Sequence, residues 1–416
     1  MKDHVYASID QVSASLLTFV FHIIAARAFS TDVYGWLVLI WGATGSFILL
    51  WRAAIGVPFV IEYSSAVEKG QPGLIRVLQT GSAAVRRALL AASAVLTALW
   101  VGWGRAEPIL LFGAGAILLA ALIYREEWRH VLIADLWSDR LGRLGVVSNL
   151  VGAIFFAVAC LVLRSSPFAA LVMLAGGIAI GIELTRPRSY AAGDGNLVVA
   201  ALRRWWLVGK DVLIGVLSVN GVSQILLWLL LISGGERDVA IFGAVMALIG
   251  FPRPVINAIT AVLTPQVARE KSTGNHVAPE VLSTGVRVVS VLGVIFLIGC
   301  LLLGSTMVHV AFPSLPSPTT TLIGFLAVAM VFESANGILR GALRGSGLAS
   351  VERKASVIGS LCGTVVGLAL VPWIASTGAA AAYASMQAAI LFAGVWFQRS
   401  ASPAASRVWE CYGQGH

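Results

Sequence analysis

Long apolar stretches, separated by short polar segments, follow one another along the whole chain. Each is close to the roughly 20 residues that an α-helix needs to cross a bilayer. They predict an all-α, polytopic membrane protein with about twelve transmembrane helices: 8–27, 35–61, 84–103, 108–124, 144–163, 168–184, 211–232, 239–263, 287–308, 320–339, 355–374 and 377–397. Because 108–124 is short and only Ala375–Ser376 separates the last pair, eleven or thirteen helices stay open.

The apolar stretches divide into two groups of six. The longest internal connection, 185–210, contains Pro187 and a Gly-Asp-Gly turn. We therefore predict a six-helix bundle over 1–184, a cytoplasmic linker over 185–210, and a second six-helix bundle over 211–416 that ends in a short cytoplasmic tail. Since six is even, both halves begin on the same side, as expected for two repeats related by an axis along the membrane normal.

Basic residues are distributed unevenly between alternate connections. Most of the 29 Lys and Arg residues share one side, and the other side holds only Arg27, Arg105, Arg164 and Arg237. The positive-inside rule then predicts that both termini are cytoplasmic. The net charge of +9 follows from this bias. Contact with the anionic lipid bilayer is the expected use of these charges, and nucleic acid is not an expected partner.

Two arginines, Arg52 and Arg253, lie inside apolar stretches, each in the second stretch of its half. A charge at such a depth costs roughly 2.5–3.5 kcal/mol, so it is a functional candidate by default. Pro252 and Pro254 remove backbone donors and predict a broken helix at Arg253. The pair predicts a central cavity that binds an anion. The alternatives are snorkelling to an interface for Arg52 and pairing with Glu333 for Arg253.

Uncharged polar residues recur at helical spacing on the first and seventh predicted helices. Steps of four, three and four place four polar residues on one face of the first helix. We expect such a face to line a wet cavity or to form hydrogen bonds between helices. Arg27 follows this face in the sequence, and we expect it at the external mouth of the cavity. The residues at helical spacing are Gln11, Ser15, Thr18 and His22 on the first helix, with Asn220 and Gln224 on the seventh.

Glu333 is the deepest carboxylate in the apolar stretches, and it is either an ion-coupling group or an arginine partner. Asp10 is the second coupling candidate. We expect no cofactor and no metal, with a proton or sodium as the coupling ion. The four cysteines form no CxxC motif, and no GxxxxGK[ST], HExxH or GxSxG motif occurs. We therefore predict no catalytic residues and no enzymatic activity.

Four short motifs along the chain are Ser8-Ile9-Asp10-Gln11-Val12, Ala25-Ala26-Arg27-Ala28-Phe29-Ser30, Tyr34-Gly35 with the later Pro58, and Asn336-Gly337-Ile338-Leu339-Arg340-Gly341. They resemble bacterial polysaccharide exporters, the lipid-linked oligosaccharide flippases of the multidrug/oligosaccharidyl-lipid/polysaccharide superfamily. The resemblance is strongest in the N-terminal quarter of the chain.

The resemblance implies a function in the bacterial cytoplasmic (inner) membrane. An undecaprenyl-pyrophosphate-linked oligosaccharide would move from the inner to the outer leaflet by alternating access, for exopolysaccharide or O-antigen assembly. Cavity arginines would hold the pyrophosphate or anionic sugars, and a polysaccharide polymerase and chain-length proteins would be partners. Two alternatives stay open: a multidrug or cation antiporter of the same superfamily, and a membrane-embedded glycosyltransferase or polysaccharide polymerase.

Overall fold

A computed structural model describes most of the chain: residues 2–56, 58–59, 74–102, 107–134, 138–164, 166–186, 198–250, 253, 279–346 and 348–413. Within these residues every regular element is a helix. Ten of the helices are long and apolar enough to cross a membrane. The prediction of an all-α, multi-pass membrane protein is therefore confirmed.

Ten described helices follow one another along the chain. Their bounds are α1 Lys2–Ala28, α2 Thr31–Trp51, α3 Leu74–Gly102, α4 Glu107–Ala134, α5 Ser138–Ala157, α6 Pro167–Thr185, α7 Val198–Ile249, α8 Pro279–Ala311, α9 Thr320–Gly345 and α10 Ala349–Gly413. A π-helical turn extends α2 over Arg52–Gly56, and another extends α5 over Val158–Val162. Serine side chains cap α2 and α6, since Ser30 and Ser166 each accept a hydrogen bond from the first turn.

Two helices, α7 and α10, are interrupted inside their length. In α7 the backbone leaves the helical region at Gly235, where φ is 76°, a conformation that glycine adopts without steric cost. In α10 it does so at Ile374 and Ala375. We call the arms before and after these points α7a and α7b, and α10a and α10b. The interruptions fall between the paired stretches that the sequence predicts, 211–232 with 239–263 and 355–374 with 377–397.

The two arms of α10 pack against each other along a row of glycines. A Cβ built on Gly359 would lie 2.8 Å from the backbone oxygen of Met386, and one on Gly363 would lie 2.7 Å from the Met386 Cβ. One on Gly367 would lie 3.6 Å from the Ala382 Cβ. As the residue number rises in α10a, that of its neighbour falls in α10b, so the arms are antiparallel. Small residues permit this close approach.

Helix α2 joins the N-terminal helices to both arms of α7. A Cβ on Gly42 would lie 3.1 Å from the Gln224 side chain of α7a, and Gly243 of α7b lies directly against Val38. Both arms of α7 therefore pack against α2. The central cavity lies next to this contact.

Several helix boundaries differ from the predicted ones, and two of them shorten a predicted connection. Helix α4 continues to Ala134, ten residues beyond the predicted end at 124, so Arg125 and Arg129 lie within the helix rather than in a connection. Their burial is compensated because carboxylates pair with them, and a hydropathy pattern cannot show such pairing. Helix α7 begins at Val198, inside the predicted linker 185–210. Residues 187–197 of that linker lie outside the described residues.

The predicted break at Arg253 falls at the end of α7b. The helix stops at Ile249, and the backbone N–H of Arg253 donates to the oxygen of Gly250 over 3.1 Å. Arg253 itself is in a helical conformation. Pro252 and Pro254, on which the prediction rested, lie outside the described residues, so a break at Arg253 stays a prediction.

A larger side chain at Gly359 should separate the arms of α10. Gly359→Val places a branched side chain against the Met386 backbone, and overpacking of this kind costs about 1–3 kcal/mol. The apparent melting temperature of the detergent-purified protein should fall accordingly. Gly176→Val is the matched control, because nothing lies within 4 Å of a Cβ on Gly176. Equal melting temperatures for the two variants would contradict the antiparallel packing.

Candidate functional site: a polar central cavity

A cavity of about 580 Å³ lies between α1 and α2 on one side and α7, α9 and α10b on the other. Among the described residues its charged lining consists of Arg52, Arg253, Arg340 and Glu333. Hydroxyl and amide groups complete a polar surface, and Trp41 and Phe242 contribute aromatic faces. The cavity is large enough to hold several sugar or phosphate groups or a drug-sized molecule.

Most of the predicted substrate-binding residues meet in this cavity. Arg52, His22, Asn220, Gln224 and Arg253 all line it, although they come from four separate segments of the sequence. The two arginines enter from opposite walls, one at the end of α2 and one just after α7b. The structure brings these five side chains together at one cavity, and their role in binding stays a prediction.

Arg52 is held by a carboxylate that the sequence analysis did not single out. Its Nε and Nη2 donate to the two carboxylate oxygens of Glu126, each over 2.6 Å. The side chain of Glu126 is 2% exposed and that of Arg52 is 26% exposed. The guanidinium is thus oriented by a bidentate pair and still reaches the cavity, so snorkelling to an interface is not what stabilises it.

A buried ionic network lies behind Arg52, on the side away from the cavity. Asp10 accepts from Arg125 over 2.6 Å and from Arg129 over 2.7 Å. Both arginines also approach Glu126, at 3.4 and 3.7 Å. The network joins α1, α2 and α4. Asp10, predicted as a coupling group, is buried in it and is not part of the cavity lining.

Arg253 is paired in a similar way on the opposite wall. Its Nε and Nη2 donate to the two carboxylate oxygens of Glu333 over 3.0 and 3.1 Å. Tyr383 of α10b donates its hydroxyl to the same carboxylate over 2.9 Å. The alternative in which Glu333 serves as an arginine partner is therefore observed. Unlike Glu126, the Glu333 side chain is 20% exposed and itself lines the cavity.

The predicted polar face of α1 divides between cavity and packing. Thr18 and His22 line the cavity. His22 is nearly enclosed, and its Nδ1 lies 3.0 Å from the hydroxyl of Tyr34. Gln11 does not reach the cavity lining, because it lies two turns closer to the N-terminus and its amide donates to Asp10 over 3.4 Å. Its predicted substrate contact is not supported by this position.

Asn220 and Gln224 sit side by side on α7a and face the cavity. Gln224 donates to the hydroxyl of Ser46 on α2 over 3.1 Å, and its buried Oε1 has no hydrogen-bond partner among the described residues. Asn220 donates to the backbone oxygen of Val216. Both amide side chains therefore contribute to the polar wall of the cavity.

Arg27 lies outside the cavity lining, at the end of the bundle opposite the N-terminus, which we call the distal end. It is exposed, and it donates to the backbone oxygens of Val310 and Ala311 over 3.0 and 3.4 Å. Ser314 donates to the backbone oxygen of Ala26 over 2.6 Å. Arg27 was predicted as a substrate-binding residue, but here it ties α1 to the end of α8. These contacts close the distal end between α1 and α8.

Sequence analysis missed Arg340 and Glu126. Arg340 was assigned to a cytoplasmic connection, yet α9 continues to Gly345 and the side chain lines the cavity. The available signal was its spacing of seven from Glu333, which places both residues on one helical face. For Glu126 the signal was weaker, because a run of charges at a predicted helix end is typical of a membrane surface.

A separate apolar groove of about 830 Å³ lies on the outer face of α1 and α5. Apart from Ser13 and Asn149 its lining is aliphatic. Such a groove is typical of a surface that faces lipid, so we assign it no chemistry. Within the described residues no group of three His, Cys, Asp or Glu side chains is placed to hold a metal ion.

No family model matches the sequence, and no curated protein matches it. Solved structures do match over nearly the whole chain. A multidrug resistance MATE family transporter of the MOP superfamily, in its inward-facing conformation, aligns with a TM-score of 0.75 and 13% identity over 94% of this chain and 96% of its own. The outward-facing conformation of such a transporter aligns with a TM-score of 0.70, 11% identity, and coverage of 98% and 96%.

The lipid II flippase MurJ, in an inward closed conformation, aligns with a TM-score of 0.70 and 10% identity over 95% of this chain and 87% of its own. At these identities the similarity concerns the fold. The chain therefore has the fold of MOP superfamily transporters, which include both MATE transporters and the MurJ flippase. The comparison does not separate a drug exporter from a lipid flippase.

Removing the charge of Glu126 should destabilise the protein strongly. Glu126→Gln leaves Arg52, Arg125 and Arg129 with Asp10 as their one carboxylate in the network, and breaking a buried pair costs about 3–5 kcal/mol. The double variant Arg52→Gln/Glu126→Gln should regain part of the loss. Glu183→Gln is the control, since its pair with Arg186 is about half exposed and exposed pairs contribute about 0–1 kcal/mol. Comparable melting temperatures for Glu126→Gln and Glu183→Gln would contradict this account.

Proposed function

We propose that this protein is a flippase that moves an anionic, lipid-linked oligosaccharide across the bacterial cytoplasmic membrane, from the inner to the outer leaflet. An undecaprenyl-pyrophosphate carrier is the substrate class that the motif resemblance implies. The observation that carries the proposal is the charge of the central cavity. Three arginines and one carboxylate line it among the described residues, which favours an anionic ligand. The MOP superfamily fold supports transport as the activity.

The geometry of the two paired arginines suits phosphate binding. Arg52 and Arg253 each present a planar guanidinium to the cavity, and such a group binds phosphate bidentately and stays charged when desolvated. A substrate phosphate can approach either guanidinium from the cavity side, because Glu126 and Glu333 occupy only the Nε and Nη2 side. Sugar hydroxyls would meet Asn220 and Gln224. The lipid tail would remain in the bilayer.

Twelve crossings in two halves are part of the proposal. If α7 and α10 each cross twice, the ten helices supply twelve spans. The antiparallel packing of α10a and α10b and the placement of both α7 arms along α2 support this count. Six spans before and six after residues 185–210 would form the two repeats. With the basic residues inside, both termini lie in the cytoplasm, and the distal end faces the cell exterior.

The closed distal end supports an inward-open state. Arg27 and Ser314 join α1 to the end of α8 and the segment that follows it, and Tyr34 stacks on Phe312 at the same level. In alternating access these contacts would break as the cavity turns outward. The role of Arg27 would then be to stabilise the closed external gate.

Glu333 is the carboxylate that we assign to ion coupling. It lines the cavity, and its partners Arg253 and Tyr383 also reach the cavity, so a proton or sodium ion could displace the arginine. Asp10, the second candidate, is enclosed between Arg125 and Arg129. We interpret Asp10 as a structural anchor of α1. Partners for polymer assembly, a polymerase and chain-length proteins, follow only from the proposed substrate.

A multidrug or cation antiporter is the second candidate function. The aromatic residues Trp41, Phe242 and Tyr383 in the lining, together with Glu333, favour it, because a lipophilic cation needs an aromatic wall and a carboxylate. The arginines oppose it, since they repel a cation. An enzymatic alternative, a glycosyltransferase or polymerase, has no supporting constellation among the described residues.

Neutralising Arg52 or Arg253 should reduce polymer export. In cells that depend on this protein, Arg52→Gln and Arg253→Gln should each lower surface polysaccharide about tenfold or more, since one charge-assisted hydrogen bond contributes about 1.5–3 kcal/mol. Lysine at either position should retain part of the export. Arg143→Gln, at an exposed residue of α5 outside the cavity, is the control.

Protein levels in the membrane fraction must be quantified for each variant, because a loss of export through degradation would carry no information about binding. Normal export by both glutamine variants at normal protein levels would contradict the proposed function. Resistance to lipophilic cations that is lost in Glu333→Gln would instead support the antiporter.

A further inference from the structure

We propose that Arg340 is the first binding residue for the anionic group of the substrate, a phosphate or pyrophosphate. This inference rests on the proposed function and adds a site that precedes Arg52 and Arg253. It starts from a difference between the three cavity arginines. Two of them are already neutralised by a carboxylate, and among the described residues Arg340 forms no ion pair.

The three guanidinium groups differ in which of their nitrogens already donate a hydrogen bond. Arg52 and Arg253 each use Nε and Nη2 on a carboxylate. Arg340 uses only Nε, which donates to the backbone oxygen of Asn336 over 3.2 Å. Both terminal nitrogens of Arg340 therefore remain available within the described part of the structure, and they can meet two phosphate oxygens together.

The position of Arg340 fits an entry site. It lies seven residues after Glu333 on α9, and two helical turns span about 10 Å. Helix α9 starts at the distal end, where Thr319 lies 3.4 Å from Thr377 beyond the α10 interruption. Arg340 is therefore about two turns farther from the distal end than the Arg253–Glu333 pair, toward the end that the proposed inward-open state leaves open. A substrate that enters from that end meets Arg340 first.

The guanidinium of Arg340 is also oriented in advance. Asn336, which receives its Nε bond, is fully buried. The Asn336 amide donates to the backbone oxygen of Gln387 over 2.8 Å and to its side-chain oxygen over 3.0 Å. These bonds fix the last turns of α9 against α10b. An arginine anchored to such a rigid element loses less conformational freedom on binding than one on a loop.

The charges explain why two kinds of arginine would be used. An anion near Arg52 or Arg253 also meets the partner carboxylate, so part of the attraction is cancelled. Arg340 forms no ion pair among the described residues, and Glu333 acts on it only from a longer distance, so less of its charge is cancelled. The substrate would be captured by Arg340 and then transferred to the Arg253–Glu333 pair, where it competes with Glu333.

Binding of isoprenyl pyrophosphate tests this site directly. Full-length protein in lipid nanodiscs would be titrated calorimetrically with farnesyl pyrophosphate, farnesol and inorganic pyrophosphate. We expect wild type to bind farnesyl pyrophosphate, and Arg340→Gln to weaken that binding about tenfold or more. Binding of farnesol should be unaffected. Arg143→Gln, an exposed arginine on α5, is the matched control and should bind as wild type.

Arg340→Lys keeps the charge but loses the fork, and we expect a severalfold loss of farnesyl pyrophosphate affinity. If Arg340→Gln does not behave as a folded protein in size-exclusion chromatography and thermal melting, Arg340→Lys replaces it as the test variant. Salt dependence gives a further readout, because loss of one cationic contact should flatten the decline of affinity with salt.

The possible results distinguish a failure of the Arg340 site from a failure of the proposed flippase function. If Arg340→Gln binds farnesyl pyrophosphate as wild type does while Arg253→Gln does not, the Arg340 site is wrong and the proposed function stands. If wild type binds neither pyrophosphate probe, both fail. If inorganic pyrophosphate binds as tightly as farnesyl pyrophosphate, with the same loss in Arg340→Gln, the site holds but its ligand is a free anion.

Discussion

Pairing of charges inside an apolar bundle is the constraint on which this structure depends. An arginine inside a bilayer must find a carboxylate, a polar cavity or both. Arg52 finds both, in Glu126 and in the central cavity. Arg253 does the same with Glu333 on the opposite wall. The protein therefore keeps guanidinium groups inside an apolar bundle without leaving them as isolated charges.

The same pairing suggests how binding and movement are linked. A bidentate carboxylate orients each guanidinium and lowers its net attraction for anions. Under the proposed function, a substrate phosphate that took over part of this interaction would change the charge next to Glu126 or Glu333. Glu126 is locked into the network with Asp10, Arg125 and Arg129 and has little freedom to respond. Glu333 is bound only by Arg253 and Tyr383 among the described residues and can move more readily, which makes the C-terminal wall the more responsive one.

Much of the fold and part of the site could be predicted from the sequence. Apolar stretches locate helices because each must match the bilayer, and the interruptions near Gly235 and Ala375 fall between predicted stretches. Arg52 and Arg253 could be found because an unmatched charge in an apolar run is conspicuous. Glu126 and Arg340 were missed because a charge near a predicted helix end is ordinary. Only the tertiary structure reveals that α4 and α9 continue and turn these residues inward. The contacts of Arg27 could not be predicted for a related reason, since its partners are backbone oxygens far away in the sequence.

The central claim is that the cavity carries an anionic lipid-linked sugar across the bilayer, and reconstitution tests it most directly. Purified protein in proteoliposomes would be supplied with a fluorescent undecaprenyl-pyrophosphate oligosaccharide on one leaflet, with and without a proton gradient. The account predicts that the labelled lipid becomes accessible to a membrane-impermeant quencher on the opposite leaflet, and that vesicles without protein show no such transfer. Equal transfer rates with and without protein, together with protein-dependent uptake of a lipophilic cation, would contradict it.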